Sequence, residues 1–185
     1  MAKTGTKLTL EEFLALPEGD GNYEFVDGKA VAKVSPKQFH SMLTFALTSL
    51  LTRWSRQRGR VRLEWAITLK RQNQDWAPVP DITYISYERL PTSWNLNDAC
   101  PVPPEVVIEI ISPDQTIKEF EDKAKDYFDA GISRVWVVNP ETMNIRIFFP
   151  DGYSQICTSD MPISDTLLPG LELTARQIFE EAGLI

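Results

Sequence analysis

The segment that most constrains the fold is residues 105–111, which read EVVIEII. A nearly continuous apolar run of this kind is typical of a central β-strand that is covered on both faces. Glu109 lies inside the run, where an isolated carboxylate would be costly to bury unless a cation compensates its charge. The segment therefore predicts a layered sheet with an acid at its centre. A structural salt bridge, or a strand end that reaches water, is the alternative explanation for Glu109.

The chain before residue 35 is predicted to form a short helix and a hairpin. Thr9 and Glu12 match a capping box, which marks the start of a helix. Two strand-like segments, residues 23–26 and 30–34, flank Asp27-Gly28, a dipeptide that accepts the positive φ of a tight turn. We expect this hairpin to be an N-terminal addition to the main sheet.

A long helix and three strands are predicted next. Ser35 and Pro36 are typical of an N-cap and a first helical residue, and Gln38 completes a capping box. Apolar residues then recur at helical spacing to about Arg58, and Gly59 stands where a C-terminal cap belongs. The strands are predicted at residues 61–69, 81–85 and 105–111.

The remaining elements complete the predicted fold class. They are a helix after Ser112-Pro113-Asp114 that ends at Gly131, strands at residues 134–138 and 144–149, and a last helix from Thr174. The central order of helix, three strands, helix and strand indicates an α/β protein with a mixed β-sheet core flanked by helices. Residues 1–185 are expected to form a single domain, because this length fits one domain and no internal repeat is visible.

Composition and motifs exclude several classes of protein. The net charge of -7 argues against a protein that coats nucleic acid non-specifically. Cys100 and Cys157 have neither CxxC nor Cys/His spacing, so neither a disulfide framework nor a zinc site is predicted. The sequence has no GxSxG, GxxxxGK[ST] or GxGxxG pattern, so serine hydrolysis and a nucleotide cofactor are not expected.

The N-terminal sequence and the hydropathy predict a location. MAKTGTKLTL lacks the apolar core of a signal peptide, and no run approaches the roughly 18 apolar residues of a membrane helix. We therefore expect a cytoplasmic protein with no membrane partner.

Positive charge is concentrated in one part of this acidic chain, residues 53–71, which we call the basic segment. It carries seven lysines and arginines and one glutamate. It is either a solvated surface or a surface that contacts phosphates. If it contacts phosphates, Arg56, Arg58 and Arg60 are the candidate substrate-binding residues.

A second acid supports a role for Glu109 in chemistry. Asp81 follows Pro78-Val79-Pro80, and the prolines end a loop where the next strand begins. Alone, an aspartate in this position is commonly a turn or strand-start residue. If adjacent strands bring Asp81 and Glu109 together, the two carboxylates are suitable oxygen ligands for Mg²⁺ or Mn²⁺.

These segments resemble a known family. PVPDITYI followed by PPEVVIEIISPD resembles the PD-(D/E)XK nuclease pattern, in which an aspartate and a strand glutamate hold the metal. More narrowly, YEFVDG, SP with a histidine four residues after the proline, PDI, VIEIISP, KAKDYFDAG and VWVVNP resemble the Uma-type family of restriction endonucleases. The resemblance runs from about Thr9 to Pro150. It implies a restriction endonuclease-like fold, Mg²⁺ or Mn²⁺ as cofactor, hydrolysis of DNA and a homodimer.

The resemblance also implies roles for individual residues. Asp81, Glu109 and the carbonyl of Ile110 would hold the metal. Glu24 matches an additional glutamate that holds the metal or its water, with an exposed hairpin charge as the alternative. His40 is the only histidine of the chain. It matches a family position and could contact phosphate or orient a base, although a lone helix histidine is more often structural.

The expected lysine departs from the superfamily pattern. Two residues after the glutamate, on the same face of the strand, the chain has Ile111. The Uma-type pattern K-x-x-x-Y-x-x-x-G instead places the catalytic lysine at Lys123. Helical periodicity does not choose between Lys123 and Lys125. Two further alternatives stay open: a degenerate nuclease fold that binds DNA or protein without cleavage, and a nuclease that acts on RNA.

Overall fold

The computed structural model describes residues 7–17, 22–113 and 115–185. Asp114, part of the predicted helix start, lies outside these residues. The helices are α1 (Leu10–Leu14), α2 (Gln38–Ser55), α3 (Ile117–Asp129) and α4 (Ala175–Glu181). The strands are β1 (Tyr23–Val26), β2 (Lys29–Ala32), β3 (Gly59–Leu63), β4 (Leu69–Arg71), β5 (Gln74–Trp76), β6 (Ile82–Ser86), β7 (Val106–Ile110), β8 (Arg134–Asn139), β9 (Asn144–Phe148), β10 (Ser154–Thr158), β11 (Pro162–Ile163) and β12 (Leu173–Thr174).

A six-stranded mixed sheet with the order β10-β9-β8-β7-β6-β3 forms the centre of the fold. Within the described residues, β7 and β8 are the one pair of this sheet that is parallel, and α3 makes the crossover between them. The other neighbouring strands of this sheet pair antiparallel. The predicted α/β class, with a mixed sheet flanked by helices, is confirmed.

The sheet separates two hydrophobic cores, as the apolar run of residues 105–111 predicts. Ile108 and Ile110 pack on one face with α2 and α4, while Val107 and Ile111 pack on the other face with α3. Alternate side chains of a strand point to opposite faces, so Glu109 points to the α3 face. All five residues of β7 are buried.

The predicted limits of α2 are wrong at both ends. The N-cap is Lys37, which makes no side-chain capping bond, so the Ser35 capping box does not form. The helix ends at Ser55, and Gln57 adopts a φ of 67° in the turn that follows. Gly59 is the first residue of β3, where an added Cβ would lie 2.3 Å from the carbonyl oxygen of Ile85. Close approach of two strands, not a helix cap, explains this glycine.

The strand predicted at residues 61–69 is also wrong. β3 ends at Leu63, and a separate hairpin of β4 and β5 follows, with positive φ at Gln72 and Asn73 in its turn. Neither residue belongs to the glycine-containing turn dipeptides, which explains why this hairpin was missed. The capping box of α1 and the positive φ of Gly131 after α3 agree with the sequence.

Among the described residues, no helix combines the length and the apolar character that crossing a membrane requires.

Candidate active site

A cavity of about 150 Å³ lies beside the carboxyl end of β7, between the β1–β2 hairpin, the start of α2, and α3. The charged and titratable side chains of its lining are Glu24, Lys33, His40, Asp81, Glu109 and Lys123. Five of these six were singled out from the sequence, and the cavity brings them together with Ile110. Lys33 was not predicted.

Asp81 precedes β6 and lies beside the end of β7. The antiparallel pairing of Ile82 with Ile108 brings the residue before β6 alongside Glu109. Asp81 is 4% exposed. Its Oδ2 atom accepts the backbone N–H of Ile110 at 2.8 Å and lies 3.0 Å from Nε2 of His40. Both partners use the same oxygen.

The other oxygen of Asp81, Oδ1, accepts a hydrogen bond from Nζ of Lys33 at 2.9 Å. Burial acts to raise the pKa of Asp81, but the hydrogen bond from His40 and the positive charge of Lys33 outweigh it and lower the pKa to about 2. Asp81 is therefore negatively charged at neutral pH although it is buried.

Glu109 is 3% exposed and faces the same cavity. Its Oε1 atom accepts the hydroxyl of Tyr127 at 2.8 Å and lies 3.0 Å from Nζ of Lys123. No hydrogen bond from the described residues reaches its Oε2 atom. Burial raises the pKa of Glu109, and the charges of Asp81 and Glu24 raise it further, against the opposing charge of Lys123.

The ammonium of Lys123, a residue of α3, contacts both Glu24 and Glu109. Its Nζ atom donates to Oε1 of Glu24 at 2.8 Å and lies over the ring of Tyr127, 5.6 Å from the centroid. Burial acts to lower the pKa of Lys123, but the charges of Glu109 and Glu24 outweigh it and raise the pKa. Lys125 is exposed and pairs with Asp122 at 2.9 Å. Of the two candidate lysines, the fold brings Lys123 to the cavity.

The β1–β2 hairpin places Glu24 and Lys33 against the loop that leads to Asp81. Phe25 forms an isolated antiparallel bridge with Ala77, two residues before Val79. The backbone N–H of Val79 then donates to Glu24 at 3.1 Å, and the carbonyl of Val79 accepts from Lys33 at 2.7 Å. A bridge between segments so distant in sequence leaves no local signal, so the sequence could not indicate Lys33.

The basic segment is not part of this cavity. Arg60 donates to the carbonyls of Leu90, Pro91 and Trp94, at 2.5, 2.8 and 2.9 Å. Arg58 donates to the carbonyl of Pro169 at 3.3 Å, and Arg56 is exposed. Within the described part of the chain, none of these three arginines lines the cavity.

The donor atoms of the cavity fit a hard divalent cation. Among the described residues, Oε2 of Glu109 accepts no hydrogen bond, and Oδ1 of Asp81 accepts one, from Lys33. In a strand, the N–H and the C=O of one residue point to the same side, so the carbonyl of Ile110 faces the side of Asp81. Mg²⁺ commonly takes one or two carboxylates and keeps several waters.

Across residues 7–17, 22–113 and 115–185, no group of three or more His, Cys, Asp and Glu side chains is arranged to hold a metal ion. The ammonium groups of Lys33 and Lys123 contact the carboxylates of the cavity instead. Two carboxylates, a backbone carbonyl and water are the available ligand set.

Comparison with known proteins gives a family and a related structure. The family model Uma2, described as "Putative restriction endonuclease", matches residues 10–176. The crystal structure of a "putative nuclease" from Anabaena variabilis matches with a TM-score of 0.80 and 25% sequence identity, over 95% of this chain and 99% of that chain. The search of curated proteins found no match.

Proposed function

Because the chain belongs to the Uma2 family, described as "Putative restriction endonuclease", we propose that it is a metal-dependent endonuclease that hydrolyses the phosphodiester bonds of DNA. One observation carries the proposal. Asp81, which directly precedes β6, and Glu109 of the neighbouring strand β7 are both nearly inaccessible to solvent and face one cavity. Neighbouring buried carboxylates need compensating positive charge. Lysines supply this charge in the described residues, and a divalent cation would supply it during catalysis.

Asp81, Glu109 and the carbonyl of Ile110 would hold Mg²⁺ or Mn²⁺. The bound cation would polarise the phosphate and lower the pKa of the attacking water. Asp81 suits this role because its low pKa keeps it ionised at neutral pH. Glu24 would act through a metal-bound water, or through its hydrogen bond with Lys123.

Lys123 would act as a cation and hydrogen-bond donor. Its raised pKa keeps the ammonium protonated at neutral pH, so it cannot accept a proton from water. It can orient the water or stabilise the negative charge that develops on the phosphate. His40 would hold Asp81 in place, because its Nε2 atom already contacts the carboxylate.

A larger groove supports a polymeric substrate. It has a volume of about 520 Å³ and shares His40, Ser112 and Gln115 with the smaller cavity. Lys37 and Phe39 also line it, and Phe39 is 52% exposed. A cation and an accessible aromatic ring suit a phosphate and a base, respectively. The nucleotides beside the scissile phosphate are proposed to lie here.

The decisive experiment is cleavage of supercoiled plasmid and of matched DNA and RNA oligonucleotides, with Mg²⁺ and with EDTA. We expect Mg²⁺-dependent cleavage of DNA, which Asp81→Asn abolishes. Asp122→Asn is the matched control, because it removes an exposed carboxylate of α3 that does not line the cavity. Cleavage that survives in Asp81→Asn contradicts the metal assignment, and cleavage of RNA alone moves the substrate to RNA.

A second candidate function is DNA or protein binding without cleavage. The pairing of the cavity acids with Lys33 and Lys123 favours it, because a site complete in itself needs no metal. Retained oligonucleotide binding without cleavage in the presence of any metal would favour this candidate.

We also propose that a cleaving enzyme works as a homodimer, since two copies place one site on each strand of the DNA. Sedimentation equilibrium tests this.

A further inference from the structure

Lys33 occupies the oxygen of Asp81 that a cation would need. Oδ2 already accepts the backbone N–H of Ile110 and lies within hydrogen-bond distance of His40. Oδ1 accepts from Nζ of Lys33 at 2.9 Å. A metal ion that binds Asp81 without breaking the contacts that orient it must therefore approach Oδ1. Lys33 uses one lone pair of Oδ1, and its ammonium would repel a metal ion bound to the same oxygen, so the two cations compete for Asp81.

The two lysines of the cavity are held differently. Nζ of Lys123 contacts two carboxylates, those of Glu24 and Glu109, and lies over an aromatic ring. Nζ of Lys33 contacts one carboxylate and one neutral carbonyl, that of Val79. Hydrogen bonds to a charged partner are the stronger ones, so Lys33 is held less tightly than Lys123. Lys33 also follows a four-residue strand, whereas Lys123 lies within a helix.

We propose that Lys33 is an internal cation that holds Asp81 in the metal-free protein, is displaced from Oδ1 when Mg²⁺ or Mn²⁺ binds, and so sets the affinity of the site for the metal. The inference rests on the proposed metal site and adds to it a residue that competes with the cofactor. A buried carboxylate is destabilising when it is unpaired. Lys33 thus lets the chain fold without metal, at the expense of metal affinity.

The first test measures Mn²⁺ binding to the full chain by isothermal titration calorimetry. Lys33→Met removes the ammonium and keeps much of the side-chain length. We expect the affinity to rise roughly tenfold, since a competing charge-assisted hydrogen bond lowers the fraction of open carboxylate. Lys29→Met is the matched control, because Lys29 is an exposed lysine of the same hairpin. It should bind Mn²⁺ as the unmodified chain does.

The second test needs no variant that might unfold. In the unmodified chain labelled with ¹⁵N-lysine, the ammonium signals of buried, hydrogen-bonded lysines are followed by NMR during titration with Mg²⁺. The signal of Lys33 should shift or be lost to solvent exchange, while that of Lys123 persists. An unchanged Lys33 signal at saturating Mg²⁺ overturns the displacement.

The two experiments separate failure of this inference from failure of the proposed function. Equal Mn²⁺ affinity of the unmodified chain and of folded Lys33→Met removes the role of Lys33 and leaves the metal site intact. Absence of Mn²⁺ binding in both proteins removes the metal site, and the inference with it. Binding that appears only in Lys33→Met supports the competition in its strongest form.

Discussion

The residues of the cavity and those of the basic segment both stand out in the sequence. The fold brings the first set together and leaves the second outside the cavity. In the cavity, charges from the β1–β2 hairpin, from the residue before β6, from β7 and from α3 converge, and oppositely charged side chains contact one another. In the basic segment, Arg58 and Arg60 bond to backbone carbonyls of nearby loops. The difference teaches that a run of like charges along the chain is weaker evidence of a site than scattered charges which the topology brings together.

Burial explains why the two regions should respond differently to substitution. Glu109 and Asp81 are nearly inaccessible to solvent, so each of their interactions is strengthened by the low local dielectric. Arg56 is exposed, where solvent and salt screen its charge. Changes in the cavity should therefore act on catalysis, whereas changes in the basic segment should act weakly or on stability.

The largest expected effect is that of Glu109→Gln. Loss of the carboxylate should lower DNA cleavage with Mg²⁺ by about 10³-fold or more, because one of the proposed oxygen ligands of the metal is removed. The fold should be kept, since glutamine preserves the shape and relieves the repulsion from Asp81 that contributes to the raised pKa of Glu109. Plasmid cleavage and circular dichroism measure the two results. Cleavage at the unmodified rate would show that the cavity is not the active site.

The next effect distinguishes Lys123 from Lys125, the two candidate lysines of α3. Lys123→Ala should lose about 10²-fold in turnover while Mn²⁺ still binds, because an ammonium is not a metal ligand. Lys125→Ala should be nearly silent, since Lys125 is exposed and pairs only with Asp122 among the contacts described. Single-turnover cleavage together with Mn²⁺ calorimetry provides the measurement. An inactive Lys125→Ala beside an active Lys123→Ala, both folded, would reverse the assignment.

The low pKa of Asp81 predicts how acid affects stability. A carboxylate with a folded pKa of about 2 stabilises the fold above the ordinary aspartate pKa, and this contribution is lost as the pH falls towards 2. It is worth about 2 kcal/mol at neutral pH. Urea denaturation of the unmodified chain and of Asp81→Asn between pH 5 and pH 2 should show the difference in unfolding free energy changing by that amount. A difference that is constant with pH contradicts the ion pairing of Asp81.

Within the basic segment, we expect substitutions to change the stability of the fold more than they change DNA binding. Arg60→Gln should cost about 1 kcal/mol of unfolding free energy, because the partly buried carbonyls of Leu90 and Trp94 lose a charged donor. Arg56→Gln should leave stability unchanged, since Arg56 is exposed. Thermal denaturation of both variants compares them directly, and equal melting temperatures would remove the distinction between the two arginines.

The smallest expected effect concerns phosphate contacts of the same segment. If Arg56 contacts DNA, Arg56→Gln should reduce the slope of log affinity against log salt concentration by about 0.9. Fluorescence anisotropy with a labelled duplex at several salt concentrations measures the slope. An unchanged slope identifies Arg56 as part of a solvated surface and leaves the cavity and its groove as the region proposed to contact DNA.

Much of the fold could be predicted because its signals are local. The apolar run of residues 105–111 indicated a central strand, and β7 has that place. Capping and turn residues placed α1, the first hairpin and the end of α3. The errors at Ser35 and Gly59 come from residue types that serve more than one purpose, since glycine both ends helices and admits a close neighbouring strand.

The sequence by itself indicated Asp81 and Glu109 as candidates, because a proline-bounded strand start and an acid within an apolar run are local patterns. The antiparallel pairing of β6 with β7 is what places the two residues side by side. Family resemblance, not periodicity, selected Lys123 over Lys125. Only the tertiary structure decided that Lys33 contacts Asp81 and that Arg60 bonds to loop carbonyls. These contacts join segments about 30 to 50 residues apart, and they depend on how a hairpin and loops pack, which no local pattern encodes.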